Sequence, residues 1–381
     1  MNEFQNINTL LQLCKSYLQK EDLVINEGIL RNESLLTLAK QHRVTMPLAP
    51  YFSKIFEAGD AKNQKSLKEF NERIRLNMLK FTQESLQLLQ LFDRQNLFCF
   101  CLKGPIGAKQ IFDDYTAKDS RDIDVLIDES KIEAYIDIIQ ERGYAPIFDF
   151  QQLNTKQKNY FKKVNNQLAF FHKEKKIMLE IHWRLFANDN LLSLSYEELK
   201  SKSQTVSIAN HSVNTFSDEH LLFYLIAHGA KHKWSKLYWL LEISVLIQKT
   251  EFNWLSVVKK AQKLHLERML FQAFILIQEL FNIAPPVNIL RSRKINQLVN
   301  EVKSDIFNRN NSSYQKSIKN YWSILKYKMK LKSDISYKLN YFNFISIQDF
   351  KTLPMPEQLF GLYYICRPFL WTRRYLIKKA G

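Results

Sequence analysis

The sequence predicts an α+β fold, a small mixed sheet held between two helical regions. Three observations predict it. Apolar residues recur at three- and four-residue spacing through residues 1–95, as in Leu10, Leu11, Leu13 and Leu18 and again in Ile74, Met78, Phe81, Leu86 and Leu89, the stripe of a helix with one buried face. Residues 96–185 carry short apolar runs of strand length separated by turns. From about residue 186 the helical spacing returns. The expected division is 1–95 helical, 96–185 sheet-bearing core and 186–381 helical.

Each element follows from local chemistry. Met46-Pro47 and Pro50 split the first region, because proline interrupts the helical hydrogen-bond ladder. Leu97-Phe98-Cys99-Phe100-Cys101-Leu102 reads as a buried strand ending at Lys103-Gly104-Pro105, with Pro105 opening a helix over 106–113. Residues 122–128 form a second strand, and 130–142 a helix that stops near Gly143. Residues 168–172 and 177–183 are strands joined by the polar connection Lys173-Glu174-Lys175-Lys176. Further on, 218–248 and 254–281 are the clearest amphipathic stretches, Pro285-Pro286 interrupts them, and Pro354 and Pro356 precede a last helix at about 357–379.

Composition narrows the function classes. The chain has 381 residues, 46% hydrophobic and 24% charged, enough for two or three cored domains and too apolar for a disordered chain. With 8 Gly and 9 Pro it is neither collagen-like nor a flexible linker. The net charge of +17 suits a polyanionic partner such as nucleotide phosphates, nucleic acid or an acidic membrane face; a lysine-rich surface set by an A/T-rich genome accounts for it equally well. The four cysteines (Cys14, Cys99, Cys101, Cys366) include no CxxC pair, and Cys99 and Cys101 share one strand face. No basic-then-apolar leader opens the sequence, and its longest apolar candidate, 359–371, is short and contains Arg367. These features predict a reducing, cytoplasmic protein with no transmembrane segment.

The chemistry concentrates in the middle segment. Asp122 and Asp124 stand two apart in a strand, so both carboxylates face one way. Like charges that close call for a cation between them. Apolar Val125, Leu126 and Ile127 follow, which puts the pair at the end of a buried strand and suits a hard divalent ion, Mg²⁺ with Mn²⁺ as substitute. Glu180 supplies a third carboxylate from a neighbouring strand, the acid set that clamps phosphoryl and nucleotidyl transfer. Gly104 lets backbone approach a phosphate at a helix N-terminus, Lys103 adds a point charge, and Arg121 neutralises another part of a triphosphate.

Leu102-Lys103-Gly104, Asp122-Ile123-Asp124 and Glu180-Ile181-His182-Trp183 resemble the hallmarks of an uncharacterised bacterial nucleotidyltransferase family within the DNA polymerase β-like nucleotidyltransferase superfamily. The likeness continues into the run from His228 to Trp234 and into Cys366-Arg367-Pro368. The resemblance implies a polymerase β-like core and metal-dependent transfer of a nucleoside monophosphate from an NTP, ATP by default, to an acceptor hydroxyl on a small molecule, a protein or an RNA end. It makes Asp122, Asp124 and Glu180 the catalytic metal ligands, with Glu180 also activating the acceptor. One position departs from the superfamily: Pro105 stands where Ser is usual, removing a hydroxyl and a backbone N–H. That departure is the argument for an alternative, an idle nucleotide-binding or regulatory protein of the same fold.

Other residues carry two readings. His182 shares the face of Glu180 and reads as orienting the acceptor or as structural; Arg184 continues that face toward phosphate. His228 and His232, four apart on a helix, lack the glutamate of a zinc helix and read, with Lys231, as nucleotide or acceptor contacts. Trp234 and Trp239 read as core. Lys316, Lys319, Lys326, Lys328, Lys330 and Lys332 interleave with Tyr321, Trp322 and Tyr327, either an RNA contact or a solvated amphipathic helix. The terminal helix, ending in Arg373-Arg374-Tyr375-Leu376-Ile377-Lys378-Lys379, reads as a docked helix with a basic face or as one resting on an anionic membrane.

Overall fold

The computed structural model describes residues 3–22, 33–57, 61–308, 318–342, 345 and 347–377. Four helices lead: α1 (Glu3–Gln19), α2 (Glu33–His42), α3 (Ala49–Glu57) and α4 (Ala61–Arg94). Then come β1 (Cys99–Cys101), α5 (Gly104–Phe112), β2 (Asp122–Ile127), α6 (Ile132–Glu141), β3 (Tyr144–Pro146), α7 (Thr155–Val164), β4 (Gln167–His172) and β5 (Ile177–His182). The rest comprises α8 (Tyr196–Ser201), β6 (Gln204–Ile208), β7 (His211–Thr215), α9 (Asp218–Lys231), α10 (Leu237–Lys249), α11 (Trp254–Lys263), α12 (Glu267–Phe281), α13 (Arg293–Phe307), α14 (Ile318–Leu331), α15 (Ile335–Leu339), α16 (Ile347–Thr352) and α17 (Leu362–Ile377).

The α+β class is as the sequence predicts. Five strands form a mixed sheet in the order β1-β2-β5-β4-β3. β2 and β5 run parallel at its centre, and the other pairings are antiparallel. The period of two divides each central strand. Ile123, Val125 and Ile127 of β2 and Ile177, Leu179 and Ile181 of β5 enter one apolar core with Ile74, Met78 and Phe92 of α4 and Tyr135 and Ile139 of α6. The opposite face is left to Asp122, Asp124 and Leu126 on β2 and to Met178, Glu180 and His182 on β5. On that side the leading and trailing helices share a second core, in which Leu10, Leu36 and Phe52 meet Leu222, Leu241, Leu270 and Leu298.

One stretch departs from the helical expectation beyond residue 186. Residues 204–215 are the hairpin β6–β7, not helix. Gln204-Thr205-Val206-Ser207-Ile208 alternates polar and apolar, and Ile208 and Val213 join Cys101 and Ile106 in a small cluster. Ala209 and Asn210 both have positive φ, the primed-turn geometry that matches strand twist. Residues 218–248 are helical as expected, in two helices. The chain breaks after Lys231, with Lys233 and Trp234 at positive φ, and restarts at Leu237. Gly229 explains the break. A Cβ there would stand 2.2 Å from the Trp234 ring, so only glycine lets the fully buried indole fold back onto α9.

Candidate active site

The register of the two central strands builds the site. Asp124 pairs with Glu180 across the parallel β2–β5 ladder, and His182 stands one pleat further along β5. Ligand atoms of Asp124, Glu180 and His182 lie within 4.8 Å of one another. His182 Nε2–H donates to Asp124 Oδ1 at 3.0 Å and lies 3.5 Å from Glu180 Oε2. Asn166 Nδ2 stands 3.1 Å from His182 Nδ1, and in the neutral ring this contact leaves Nε2–H to face Asp124. Burial opposes a charged His182, but its bonds to Asp124 and Glu180 outweigh that and raise its pKa.

Asp124 is the most enclosed of the acids, its side chain 1% exposed. Burial favours its neutral form, yet Lys103 and His182 prevail and hold the carboxyl well below the usual range. Its Oδ2 is buried with no hydrogen-bond partner among the described residues. Such an atom costs about 1–3 kcal/mol unless a cation or donor meets it. Asp122 lies outside the tight group but feels it. Burial and then Asp124 raise its pKa, and Glu180 adds to the rise. Asp124, Glu180 and His182, with an orphaned buried oxygen on Asp124, form a group able to hold a metal ion, and Asp122 lies beside it.

The β1–α5 turn faces these acids. Gly104 has φ +69°, a left-handed conformation costly for any side-chain-bearing residue. Lys103 precedes α5 without a side-chain cap, so the first helical amides, apart from the missing one of Pro105, are not satisfied from that side. Lys103 Nζ sits 3.7 Å from Asp124 Oδ1 and donates to the Tyr224 hydroxyl; burial opposes its charge, but Tyr224 and the two aspartates raise its pKa. Ser120 Oγ lies 3.8 Å from where a Gly104 Cβ would be. A hydroxyl therefore stands beside the turn although position 105 has none.

His228, half-buried, sits in a ring stack with Tyr224, His232 and Trp239 at 4.7–5.8 Å. Burial, then Lys103, His232 and Lys231, press its pKa well down. Burial, Lys231, Lys328 and Lys103 do the same to His232. Lys231, with its ammonium over the Phe186 ring at 5.3 Å, is pushed down to about 8 by burial, Lys328 and Lys103. Of the sequence-chosen residues, Lys103 and His182 lie against Asp124, whereas His228, Lys231 and His232 gather on the rings of Tyr224, Phe186 and Trp239. Trp234 is core, whereas Trp239 is only partly buried and faces the histidine rings.

Arg184 is used otherwise. Its Nη2 donates to the carbonyls of Lys162 and Asn165, where α7 ends. Arg121 is exposed just before β2. In the lysine-rich segment, Lys330 pairs with Glu301, Lys332 is buried on the carbonyls of Asn190 and Leu264, and Tyr327 is core. Lys316 lies outside the described residues, as do Lys378 and Lys379. Sequence reasoning missed Arg43, whose charge reaches Asp122 from the α2–α3 turn. It also missed Lys118, paired with buried Glu242 at 2.8 Å, and Ser120, Asn166 and Tyr224. None of these stands in a motif, and packing alone brings them in.

Carboxylates on the central parallel strands of a mixed sheet thus converge opposite a Lys-Gly turn that opens a helix. A family model described as "uncharacterised nucleotidyltransferase" matches residues 30–282, about two thirds of the chain, and the chain belongs to that family. A comparison with curated proteins gives no match. Among the described residues no helix is long and apolar enough to cross a membrane.

Proposed function

We propose that the protein transfers a nucleoside monophosphate from an NTP, ATP by default, to an acceptor hydroxyl and releases pyrophosphate. One observation carries this reading: Asp124 and Glu180 sit in register, with Asp124 Oδ2 buried and unpartnered, opposite the Lys103-Gly104 turn. Asp122, Asp124 and Glu180 would hold Mg²⁺, or Mn²⁺ in its place, and that ion, when bound, supplies Lewis-acid stabilisation of the reacting phosphate. Lys103 and the uncapped amides of α5 bind the triphosphate as a cation and a set of N–H donors. The Ser120 hydroxyl supports the turn where Pro105 cannot. His182 is a positioning residue that fixes Asp124 Oδ1 and leaves Oδ2 free. Glu180, its side chain 23% exposed, reaches the cleft and accepts the acceptor hydroxyl's proton at a carboxylate oxygen. We assign the nucleotidyltransferase core to 96–185 with helical regions at 1–95 and 186–381, and place the protein in the cytoplasm, consistent with four unpaired cysteines.

The test is a thermal-shift screen of the full chain with each of the four NTPs, with and without Mg²⁺ and Mn²⁺. A metal-dependent shift with one NTP supports the reading and names the donor. The absence of any shift would overturn it. Pro105 favours a second reading, an idle nucleotide-binding or regulatory protein. That reading predicts the same shift, with no pyrophosphate released against any small-molecule, protein or RNA acceptor.

A further inference from the structure

The last helix, α17, is pinned by one face. Tyr363 and Leu370 are buried in a small cluster with Ile345 and Phe350. The Tyr363 hydroxyl donates to the Leu353 carbonyl at 2.7 Å and accepts from the Met355 amide at 3.2 Å. Gln157 Nε2 of α7 also donates to it, at 3.3 Å. These contacts fix the rotation of the helix and therefore which face points outward. That outward face is apolar. Leu362, Ile365 and Phe369 stand at i, i+3 and i+7, one stripe of a helix, and are 40%, 69% and 79% exposed. Leu359 in the preceding turn and Tyr364 are exposed as well. Of the fourteen large exposed hydrophobic side chains among the described residues, five lie within 359–369. Single ones scattered over a surface are ordinary, whereas a cluster marks a surface that something covers.

The charges around the stripe have one sign. From residue 358 to the last residue of the sequence there are five Arg or Lys and no Asp or Glu. Arg373, exposed, continues the stripe one turn beyond Phe369. Helix α7 lies against the same segment, with the Tyr160 ring 5.5 Å from Phe360 and 6.3 Å from Tyr364. It carries four lysines and no acid, and Lys156 and Lys163 are exposed. Shape and charge together choose the occupant. A second copy of this face would set like charges against each other. A nucleic acid would meet the cations but leave the aliphatic side chains in water. An anionic lipid surface takes both, since the apolar stripe enters the acyl boundary while the arginines and lysines meet the headgroups.

We propose that the outer face of α17 docks the protein on an anionic phospholipid surface, through Leu362, Ile365 and Phe369 with a basic rim supplied by α7 and the C-terminal segment. The contact does not depend on the chemistry at Asp124. Full-length protein is sedimented with vesicles of phosphatidylcholine alone and of phosphatidylcholine mixed with phosphatidylglycerol, at low and high salt. Wild type is compared with the charge-neutral double variant Ile365→Ser/Phe369→Ser and with Arg373→Gln, folding being checked by circular dichroism. Wild type is expected to pellet with the mixed vesicles and not with phosphatidylcholine alone, and to be released as salt rises. The double variant should bind the mixed vesicles about tenfold or more weakly, and Arg373→Gln about fivefold more weakly. No pelleting of wild type with the mixed vesicles overturns the proposal. Binding that survives in the folded double variant but falls in Arg373→Gln also overturns it, because charge alone would then act, as it would toward RNA. A wild-type dimer that the double variant makes monomeric, with no vesicle binding, assigns the stripe to a second copy and likewise overturns it.

Discussion

Asp124→Asn removes one charge at nearly constant volume, and its consequences follow from the site geometry. The Lys103–Asp124 separation of 3.7 Å gives a gross attraction of about 4–5 kcal/mol at an effective dielectric near 20. Most of that does not appear in the stability of the ligand-free protein. The change also relieves the burial of a carboxylate and its repulsion of Asp122 and Glu180, and the Asn oxygen still accepts from His182. The ligand-free variant is expected to stay within about 2 kcal/mol of wild type. Ligand-linked stability changes much more. At an NTP–Mg²⁺ concentration of about 100 times Kd, wild type gains about 2.7 kcal/mol; a hundredfold weaker variant gains about 0.4 kcal/mol at the same concentration. For a chain of 381 residues the corresponding rise in Tm falls from about 3 °C to about 0.5 °C. Differential scanning fluorimetry with and without Mg²⁺ measures both quantities. An Asp124→Asn protein that keeps the full metal-dependent shift would refute the reasoning, because the orphaned Oδ2 would then have no role in holding a cation.

Three further outcomes are expected. Gly229→Ala drives a Cβ to within 2.2 Å of the buried Trp234 ring and should cost about 3 kcal/mol or more; a urea midpoint equal to wild type would contradict the close approach. His220 is fully buried and accepts from Lys260 at 2.9 Å, and burial and then Lys260 push its pKa down to about 4. A base depressed on folding contributes stability that is complete above its unfolded pKa of about 6.5 and is lost as the pH falls toward 4. Urea unfolding from pH 7.5 to 4.5 should show this loss, His220→Gln should flatten it, and an identical slope in that variant counts against it. Burial, then Lys328 and Lys103, push the Lys231 pKa down to about 8, so an anion bound there would bring uptake of a proton above that pH. Tripolyphosphate affinity should weaken as the pH rises beyond about 8, and Lys231→Gln should remove that part of the slope; calorimetry at pH 7, 8 and 9 decides it.

The strands β1, β2, β4 and β5 were legible because apolar runs of strand length leave little choice of structure. Asp122, Asp124, Glu180 and the Lys103-Gly104 turn were legible because they are local motifs within single elements. The hairpin at 204–215 escaped because its alternation is weak and its turn is Ala209-Asn210 rather than a glycine pair. Arg184 looked like a phosphate contact because it continues the parity of Glu180 and His182. The strand ends at His182, parity no longer governs beyond it, and the guanidinium turns to α7 instead.

By itself the sequence determined what each segment could become, since periodicity, proline, glycine and side-chain charge act over a few residues. It placed three carboxylates on strand faces and a glycine where backbone needs a left-handed φ. Which groups meet was decided only by tertiary structure. The parallel register set Asp124 beside Glu180, and the packing of α9 against α10 and α12 brought Tyr224 to Lys103. The docking of α14 brought Tyr327 to Gln272 of α12 across 55 residues of chain. The physical reason is that electrostatic and hydrogen-bonding partners are chosen by distance in space, and long-range distance is set by how the shared apolar cores close, which no local pattern encodes.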